Sequence, residues 1–232
     1  MNFKGIHKTS LIDYPGKICS ILFTGGCNLR CRYCYNPDLA CNNCALETLT
    51  NEETFSFVER RRHFIDGVSI SGGEPTLAKN LDSFIKSVKD ISLSVKLDTN
   101  GSNPEVIKRL IEKGLLDYVA IDVKTSPSKY DFLTGTTFRF ADIVKTISIV
   151  RDAGIDYEIR TTCIPFFVTL DDFVAIKREI GRVKQYYLQQ FVNSKTLDDD
   201  VANYQPYPAE ELHRFREFVL SFADLCEIRG LS

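Results

Sequence analysis

Short apolar runs rich in β-forming residues alternate with longer amphipathic runs, and this alternation limits the fold more than any other feature of the chain. It predicts parallel strands joined by right-handed crossovers in one α/β domain over residues 1–232. The six expected strands are Ile18–Phe23, Gly67–Ser71, Leu93–Leu97, Tyr118–Val123, Asp156–Thr162 and Gln185–Phe191. The six expected helices are Asn51–Phe64, Lys79–Asp90, Asn103–Lys113, Phe138–Ala153, Leu170–Ile180 and Pro208–Leu225. Such units suit either an open, curved barrel or a doubly wound sheet.

Composition and charge exclude several classes of protein. Hydrophobic residues make up 44% of the chain and charged residues 26%, as in globular domains. The net charge of −2 argues against a protein that binds nucleic acid through bulk charge. No apolar run is long enough to span a bilayer, and the first residues lack the apolar core of a signal peptide. We therefore expect a cytoplasmic protein with no membrane and no nucleic-acid partner.

A cysteine-rich loop at residues 24–44 follows the first expected strand. In a reducing compartment, cysteines concentrated in this way favour metal binding or catalysis over disulfides. Cys27, Cys31 and Cys34 have the spacing Cys-x3-Cys-x2-Cys. Thiolates are soft ligands that suit iron–sulfur clusters and zinc. Because a fully ligated 4Fe–4S cube takes four cysteines, a set of three leaves one iron free to chelate the amino and carboxylate groups of a substrate.

Polar motifs follow the later strands in the same way. Gly72-Gly73-Glu74 follows the second strand and Asp98-Thr99-Asn100 follows the third. Asp122 and Lys124 close the fourth strand, and Arg160 lies near the end of the fifth. In both candidate architectures, ligands bind at the carboxyl ends of parallel strands. We therefore expect these residues to share one rim with the cysteine loop.

Each of these motifs also has a purely structural interpretation. Gly72-Gly73-Glu74 by itself is compatible with a turn and a helix-start glutamate, and Asp98-Thr99-Asn100 with an Asx turn. Asp122 and Lys124 are two residues apart on one side of a strand, which also suits a salt bridge. Arg160 is also compatible with a surface charge at a strand end.

The cysteine spacing, with Tyr33 before the last cysteine, and the Gly72-Gly73-Glu74 motif together resemble the radical SAM superfamily. The resemblance implies a partial (β/α)6 barrel with parallel strands, in which Cys27, Cys31 and Cys34 hold one 4Fe–4S cluster. It further implies that the open iron binds the methionine end of S-adenosylmethionine (SAM). Electron transfer from the cluster would then release a 5′-deoxyadenosyl radical.

Further segments resemble the activating proteins of anaerobic ribonucleoside-triphosphate reductases, a branch of the glycyl-radical activase family. They are Ser10–Lys17, Tyr35-Asn36-Pro37, Lys129-Tyr130 and Thr134-Gly135. Tyr35 departs from the pattern, since many relatives have histidine there. The resemblance implies that the chain takes hydrogen from a glycine Cα of a partner glycyl-radical enzyme. It also implies flavodoxin or ferredoxin as the electron donor.

The same resemblance gives the rim residues roles in binding SAM. Gly72-Gly73-Glu74 is expected at the methionine amino group, and Asp98-Thr99-Asn100 at other parts of SAM. Asp122 is expected near the ribose, or near a monovalent cation held together with Asp98 and Thr99. Lys124 is expected near the SAM carboxylate. Arg160 is expected to contact SAM as well, because its planar fork can grip a carboxylate or ribose hydroxyls.

Two alternative functions stay open. The first is a radical SAM enzyme that acts on a small molecule, similar to 7-carboxy-7-deazaguanine synthase. The second is a non-enzymatic protein that holds zinc or an electron-carrying cluster. Such a carrier would have no need of Gly72-Gly73-Glu74.

The zinc alternative rests on two cysteine pairs, Cys31-x2-Cys34 and Cys41-x2-Cys44. Paired zinc knuckles are usually separated by roughly 15–20 residues, and the gap here is much shorter. Zinc would also leave Cys27 unexplained. We interpret Cys41 and Cys44 as free thiols, an incidental knuckle or a redox pair, and a second cluster, as some glycyl-radical activases carry in this region, stays the alternative. The cysteines outside the loop, Cys19, Cys163 and Cys226, are expected to be buried and inert.

Overall fold

The computed structural model describes residues 1–194 and 196–231, and these contain one eight-stranded sheet. The strands lie side by side in chain order: β1 Phe3–Ser10, β2 Cys19–Thr24, β3 Gly67–Gly72, β4 Ser94–Thr99, β5 Tyr118–Asp122, β6 Asp156–Cys163, β7 Val183–Gln190 and β8 Ala223–Arg229. Strand β1 is antiparallel to β2, and every later neighbouring pair is parallel. The expected α/β fold with a mainly parallel, open sheet is confirmed.

Helices connect the parallel strands. They are α1 Pro37–Ala40, α2 Asn51–Arg61, α3 Leu81–Asp90, α4 Pro104–Glu112, α5 Pro127–Thr134, α6 Phe140–Ala153, α7 Leu170–Ile180, α8 Asp199–Ala202 and α9 Ala209–Val219. A short 3₁₀ turn, Pro75–Leu77, follows β3. No helix in the described part of the chain is long and apolar enough to cross a membrane.

Local signals in the sequence account for several helix ends. The Thr50 hydroxyl accepts a hydrogen bond from the Glu53 amide, and the Glu53 carboxylate accepts one from the Thr50 amide, which completes a capping box at α2. Pro104 occupies the first turn of α4, where its missing N–H costs nothing. Gly154 ends α6 with φ of 69°, in the left-handed region that favours glycine.

Apolar helix faces cover the sheet. Ile107 and Leu110 of α4 are fully buried, as are Ile143 and Ile147 of α6, and the two helices pack against each other. Each such side chain stabilises the fold by about 1.5–3 kcal/mol relative to its exposed state. In β5, every residue before Asp122 is buried, as in a parallel strand covered on both faces. The polar residues at the strand ends therefore lie together at one rim, next to strand residues that are mostly buried.

Five strands and helices were not predicted from the sequence: β1, α1, α5, α8 and β8. Strand β1 has a mostly polar, glycine-containing sequence and pairs along one edge of the sheet. Helix α5 is short, and its apolar residues show little helical periodicity. The last helix ends at Val219, not Leu225, and β8 follows and pairs with β7. Buried Phe222 continues the helical spacing of Phe215 and Val219 after the helix has ended, so periodicity alone overextends it.

Candidate active site

One cavity of about 320 Å³ lies at the carboxyl ends of the parallel strands. Every candidate residue from the sequence lines it: Cys27, Cys31, Tyr33, Cys34, Gly72, Gly73, Glu74, Asp98, Thr99, Asn100, Asp122, Lys124 and Arg160. They come from the cysteine loop and from the ends of β3, β4, β5 and β6. The chain therefore brings the expected residues together on one rim.

The cysteine loop is held by backbone hydrogen bonds on two sides. The amides of Gly26 and Cys27 donate to the carbonyls of Leu39 and Ala40, at the end of α1, over 2.8 and 3.1 Å. On the other side, the Arg30 amide donates to the Thr134 carbonyl over 2.7 Å, at the end of α5. These bonds fix the backbone on both sides of the thiols, so that α1 and α5 position the loop.

The three thiols of the loop face the cavity from a largely buried position. Burial raises the pKa of all three cysteines, and it raises that of Cys31 to about 12. The sulfur of Cys27 accepts from the Leu29 amide over 3.4 Å and from the Asn100 side-chain amide over 3.9 Å. Donors of this kind stabilise a sulfur that carries negative charge, as a cluster ligand does.

This arrangement fits a 4Fe–4S cluster better than a single metal ion. Cys27, Cys31 and Cys34 line one cavity, which polar side chains such as Asp122 and Lys124 also line. Among residues 1–194 and 196–231, no three histidine, cysteine, aspartate or glutamate side chains converge closely enough to hold one ion. A cube needs no such convergence, because each cysteine binds a different corner. Cys41 and Cys44 are exposed and do not line the cavity.

The glycine turn after β3 crosses the cysteine loop at very short range. The Gly73 amide donates to the Thr24 carbonyl and the Glu74 amide to the Gly26 carbonyl, each over 2.8 Å. A Cβ at Gly73 would lie 2.0 Å from the Gly26 carbonyl oxygen. Only glycine permits this crossing, which places the backbone of residues 72–74 beside Cys27.

Replacing Gly73 with alanine is expected to separate the two loops and to destabilise the protein by a few kcal/mol, because the new methyl group meets a backbone atom that cannot move aside. Thermal unfolding and iron content after cluster reconstitution measure both effects. Gly5→Ala is the matched control, because its Cβ would lie 3.9 Å from Phe23, an ordinary contact. Equal melting temperatures and equal iron content for the two variants would contradict the close crossing.

Glu74 connects the loops after β3 and β4 through hydrogen bonds to its carboxylate. Its carboxylate accepts from the hydroxyls of Thr76 and Thr99, over 2.5 and 2.8 Å, and from the amides of Thr76 and Asn100, over 3.1 and 2.7 Å. Burial raises the pKa of Glu74, although these donors oppose the rise. Three of these donors share Oε1 and only the Asn100 amide reaches Oε2, which therefore keeps an acceptor position. The side chain therefore links the end of β3 to the end of β4, and also caps the 3₁₀ turn as the structural interpretation required.

The loop after β4 is both an Asx turn and part of the cavity wall. The Asn100 side-chain oxygen accepts from the Ser102 amide over 3.0 Å, as in an Asx turn. Its side-chain nitrogen donates to the Asn28 side-chain oxygen over 2.9 Å and approaches the Cys27 sulfur. The structural and functional interpretations of this motif are therefore compatible.

Charged residues at the ends of β5 and β6 are paired with one another. Arg160 Nε donates to Asp122 over 2.8 Å and Arg160 Nη1 to Asp98 over 3.2 Å. Lys124 Nζ lies 3.4 Å from Asp122. Burial alone would lower the pKa of Lys124, but Tyr33 and Asp122 raise it well above its ordinary value. Arg160 is largely buried between carboxylates, so the interpretation as a surface charge is wrong.

Several cavity residues were missed from the sequence. Thr162, Gln189 and Gln190 lie at the carboxyl ends of β6 and β7 and line the same cavity. The strand-end rule could have found them, since it applies to every parallel strand. Tyr35 also lines the cavity, and its hydroxyl accepts from the Val192 amide over 2.9 Å.

The segment Ser10–Lys17 lies away from the cavity. Lys17 Nζ donates to the Ser94 hydroxyl over 2.6 Å, at the amino end of β4. The buried Tyr14 ring lies 5.9 Å from the ring of Tyr118, at the amino end of β5. This segment therefore closes the opposite rim of the sheet. The cysteines outside the loop, Cys19, Cys163 and Cys226, are buried as expected.

Comparison with known proteins gives a family. The model of the radical SAM superfamily matches residues 21–180. A protein of Methanocaldococcus jannaschii assigned as a glycyl-radical enzyme activating enzyme is 34% identical over 235 residues, which cover 98% of this chain and 95% of the relative. The pyruvate formate-lyase-activating enzyme of Clostridium pasteurianum is 33% identical over 187 residues, which cover 77% of this chain and 74% of that enzyme.

Solved structures agree on the fold. Streptococcus suis SuiB superposes with a TM-score of 0.67 at 17% identity, over 90% of this chain and 48% of SuiB. Archaeal TYW1 superposes with a TM-score of 0.58 at 16% identity, over 88% of this chain and 72% of TYW1. This chain thus spans about half the length of SuiB. From the superfamily match and the full-length relative, the chain belongs to the radical SAM superfamily and, within it, to the glycyl-radical enzyme activating enzymes.

Proposed function

We propose that this enzyme activates a glycyl-radical enzyme of the anaerobic ribonucleotide reductase type, with SAM bound in the cavity at the strand ends. The observation that carries the proposal is the convergence of the three thiols, the Gly72-Gly73-Glu74 turn and the charged ends of β4–β6 on that one cavity. Its volume of about 320 Å³ is that of a small-molecule site, and polar groups line much of it.

In this proposal Cys27, Cys31 and Cys34 each bind one iron of a 4Fe–4S cluster as thiolates. When bound, the cluster and SAM supply the radical chemistry: one-electron reduction cleaves SAM to methionine and a 5′-deoxyadenosyl radical, which takes a hydrogen atom from the partner's glycine Cα. The residues of the chain hold SAM, pair with its ammonium and carboxylate groups, and shield the site from water.

The rim residues divide the binding of SAM between them. The backbone at Gly72 and Gly73 faces the cavity and offers main-chain groups to the methionine ammonium. Glu74 holds Thr99 and Asn100 in place, and its Oε2, which accepts only the Asn100 amide, keeps a position for the methionine ammonium. Lys124 stays cationic and suits the SAM carboxylate.

Asp122 and Arg160 are assigned to the ribose end of SAM. Both line the cavity, and the guanidinium of Arg160 holds the Asp122 carboxylate in a fixed orientation. A carboxylate fixed in this way can accept hydrogen bonds from ribose hydroxyls. Tyr33 provides an apolar wall, with Lys124 Nζ 5.9 Å from the centre of its ring.

The choice of partner rests on segments similar to the activating proteins of anaerobic ribonucleotide reductases. The end of one of them, Thr134-Gly135, binds the cysteine loop: the Thr134 carbonyl accepts from the Arg30 amide, and a Cβ at Gly135 would lie 3.2 Å from the Arg30 carbonyl oxygen. We further propose flavodoxin or ferredoxin as electron donor. The cytoplasm is the proposed compartment, since all eight cysteines are free thiols in the structure.

The test is anaerobic reconstitution with iron and sulfide, reduction with dithionite, and addition of SAM with and without the candidate reductase. Release of 5′-deoxyadenosine together with a glycyl EPR doublet on the partner is the expected result. Release of 5′-deoxyadenosine with no doublet on any glycyl-radical enzyme would replace the partner with a small-molecule substrate. No release from a fully assembled cluster would overturn the proposal.

A second prediction concerns the exposed pair Cys41 and Cys44. Replacing both with serine is expected to leave about four irons per chain and unchanged SAM cleavage, because neither side chain reaches the cavity. Iron and sulfide analysis of the reconstituted variant, beside wild-type protein, checks this. A fall to about half of the wild-type iron content would show that the pair holds a second centre.

A further inference from the structure

Five charged side chains at the ends of β4, β5 and β6 form a central ion group beneath the cavity: Lys96, Asp98, Asp122, Lys124 and Arg160. Lys96 is the most buried member, with 2% of its side chain exposed, and its ammonium contacts one oxygen of Asp98. Arg160 contacts the other oxygen of Asp98 at 3.2 Å and one oxygen of Asp122 at 2.8 Å. Lys124 lies 3.4 Å from the second oxygen of Asp122.

This geometry does not fit the monovalent cation expected beside Asp98, Thr99 and Asp122. All four carboxylate oxygens of the two aspartates already face an ammonium or guanidinium group. The Thr99 hydroxyl donates to Glu74 and accepts from the Gly101 amide. A cation bound to these oxygens would therefore lie directly beside an ammonium or guanidinium group that the chain itself supplies.

The charges of the group also disfavour a further cation. Three cationic side chains face the two aspartates. The neighbouring Glu158 lies 3.8 Å from Arg160 Nη1, and its charge is offset by Arg229, which donates two hydrogen bonds to it over 3.0 and 2.8 Å. Four cationic side chains, counting Arg229, thus face three carboxylates, counting Glu158, and the excess positive charge opposes a metal cation and favours an anionic ligand group.

We propose that Lys96 and Arg160 take the place of a monovalent cation, so that this enzyme binds SAM without sodium or potassium ions. A buried ammonium is rare unless it is paired, and Lys96 has its partner at the position where the cation was expected. Lys96 positions Asp98 and supplies part of the positive charge that offsets the two aspartates beneath SAM. The expected effect on SAM affinity rests on the proposed placement of SAM in the cavity. The expected effect of alkali ions on protein stability does not.

The first test uses the reconstituted wild-type enzyme in potassium, sodium or tetramethylammonium chloride at equal ionic strength. The dissociation constant of SAM is expected to agree within about twofold among the three salts, because any cation-specific coupling would exceed that. The melting temperature without SAM is expected to be equal as well. Affinity at least about fivefold higher in either alkali salt would overturn the proposal.

The second test removes the ammonium with Lys96→Met, beside the exposed control Lys86→Met, whose partner is Asp90. In tetramethylammonium, Lys96→Met is expected to melt lower and to bind SAM about tenfold more weakly, and potassium is expected to restore part of both. The control is expected to show neither effect. If potassium restores nothing to folded Lys96→Met, the assignment of Lys96 as a built-in cation is wrong.

The melting temperature separates this inference from the proposed function. It needs no SAM, so a cavity that fails to bind SAM would still show whether alkali ions stabilise Lys96→Met. Should Lys96→Met not fold, Lys96→Arg keeps the charge and is expected to be as independent of alkali ions as wild type. Alkali-dependent melting of wild type or Lys96→Arg counts against the proposal.

Discussion

Replacing Cys31 with alanine is expected to abolish both cluster assembly and the reductive cleavage of SAM. Cys31 is the most buried thiol of the three-cysteine motif, at 8% exposure. The other two cysteines of the motif, Cys27 and Cys34, line the same cavity. With two ligands left, a 4Fe–4S cluster lacks two of the four connections that hold it in ordinary proteins. Among residues 1–194 and 196–231, no cysteine besides Cys27, Cys31 and Cys34 lines the cavity, so that no further thiol is at hand to replace Cys31.

The measurement compares iron and sulfide content and 5′-deoxyadenosine release after anaerobic reconstitution. Cys226→Ala is the matched control, because Cys226 is also a buried thiol but lies on β8 outside the cavity wall. Both variants lose a buried sulfur, so both are expected to lose some stability through packing, by about 1–2 kcal/mol. Only Cys31→Ala is expected to lose the cluster. A Cys31→Ala protein that keeps its iron and its activity would refute the three-ligand assignment.

Much of the fold and site was accessible from sequence because strand ends and cavity residues coincide in parallel sheets. The strand-end rule placed residues as distant as Cys27 and Arg160 on one rim without any knowledge of contacts. The two strands that escaped prediction lie at the edges of the sheet. There β1 is held by pairing and not by an apolar pattern, and β8 follows a helix whose apolar spacing extends beyond its last residue.

The pairing of charges could not be predicted, because it depends on which side chains meet across strands. Lys96 reads as an ordinary strand residue in the sequence, yet it is buried and contacts Asp98 two positions along β4. Arg160 is brought to Asp98 and Asp122 by the registers that align β4 with β5 and β5 with β6. The contacts of Glu74 with Thr99 and Asn100 on the next strand end could not be predicted from its motif either.

Arg160→Met is expected to destabilise the protein at neutral pH by about 3 kcal/mol, since it leaves two partly buried carboxylates without the guanidinium that joins them. For a domain of this size, such a loss lowers the melting temperature by about 6–12 °C. Arg182→Met is the matched control. Its ion pair with Asp224 is exposed, so its removal is expected to change the free energy of unfolding by less than about 1 kcal/mol.

The pH dependence of unfolding separates a charge effect from a packing effect. Burial alone would raise the pKa of Asp98, but Arg160 and Lys96 together lower it to about 2. An unfolded aspartate has a pKa of about 4, so this contribution is complete above pH ~4 and is lost as the pH falls toward ~2. Without Arg160, the pKa of Asp98 in the folded protein moves toward the unfolded value, and the acid loss becomes smaller.

Wild type and Arg160→Met are therefore expected to differ most near neutral pH and to converge as the pH approaches about 2–3. Chemical unfolding of the SAM-free protein at several pH values gives the two curves. Parallel curves across this range would mean that Arg160 stabilises the protein by packing alone. Convergence would show that the guanidinium balances the charge of the two aspartates, which is the balance that we propose takes the place of an alkali ion.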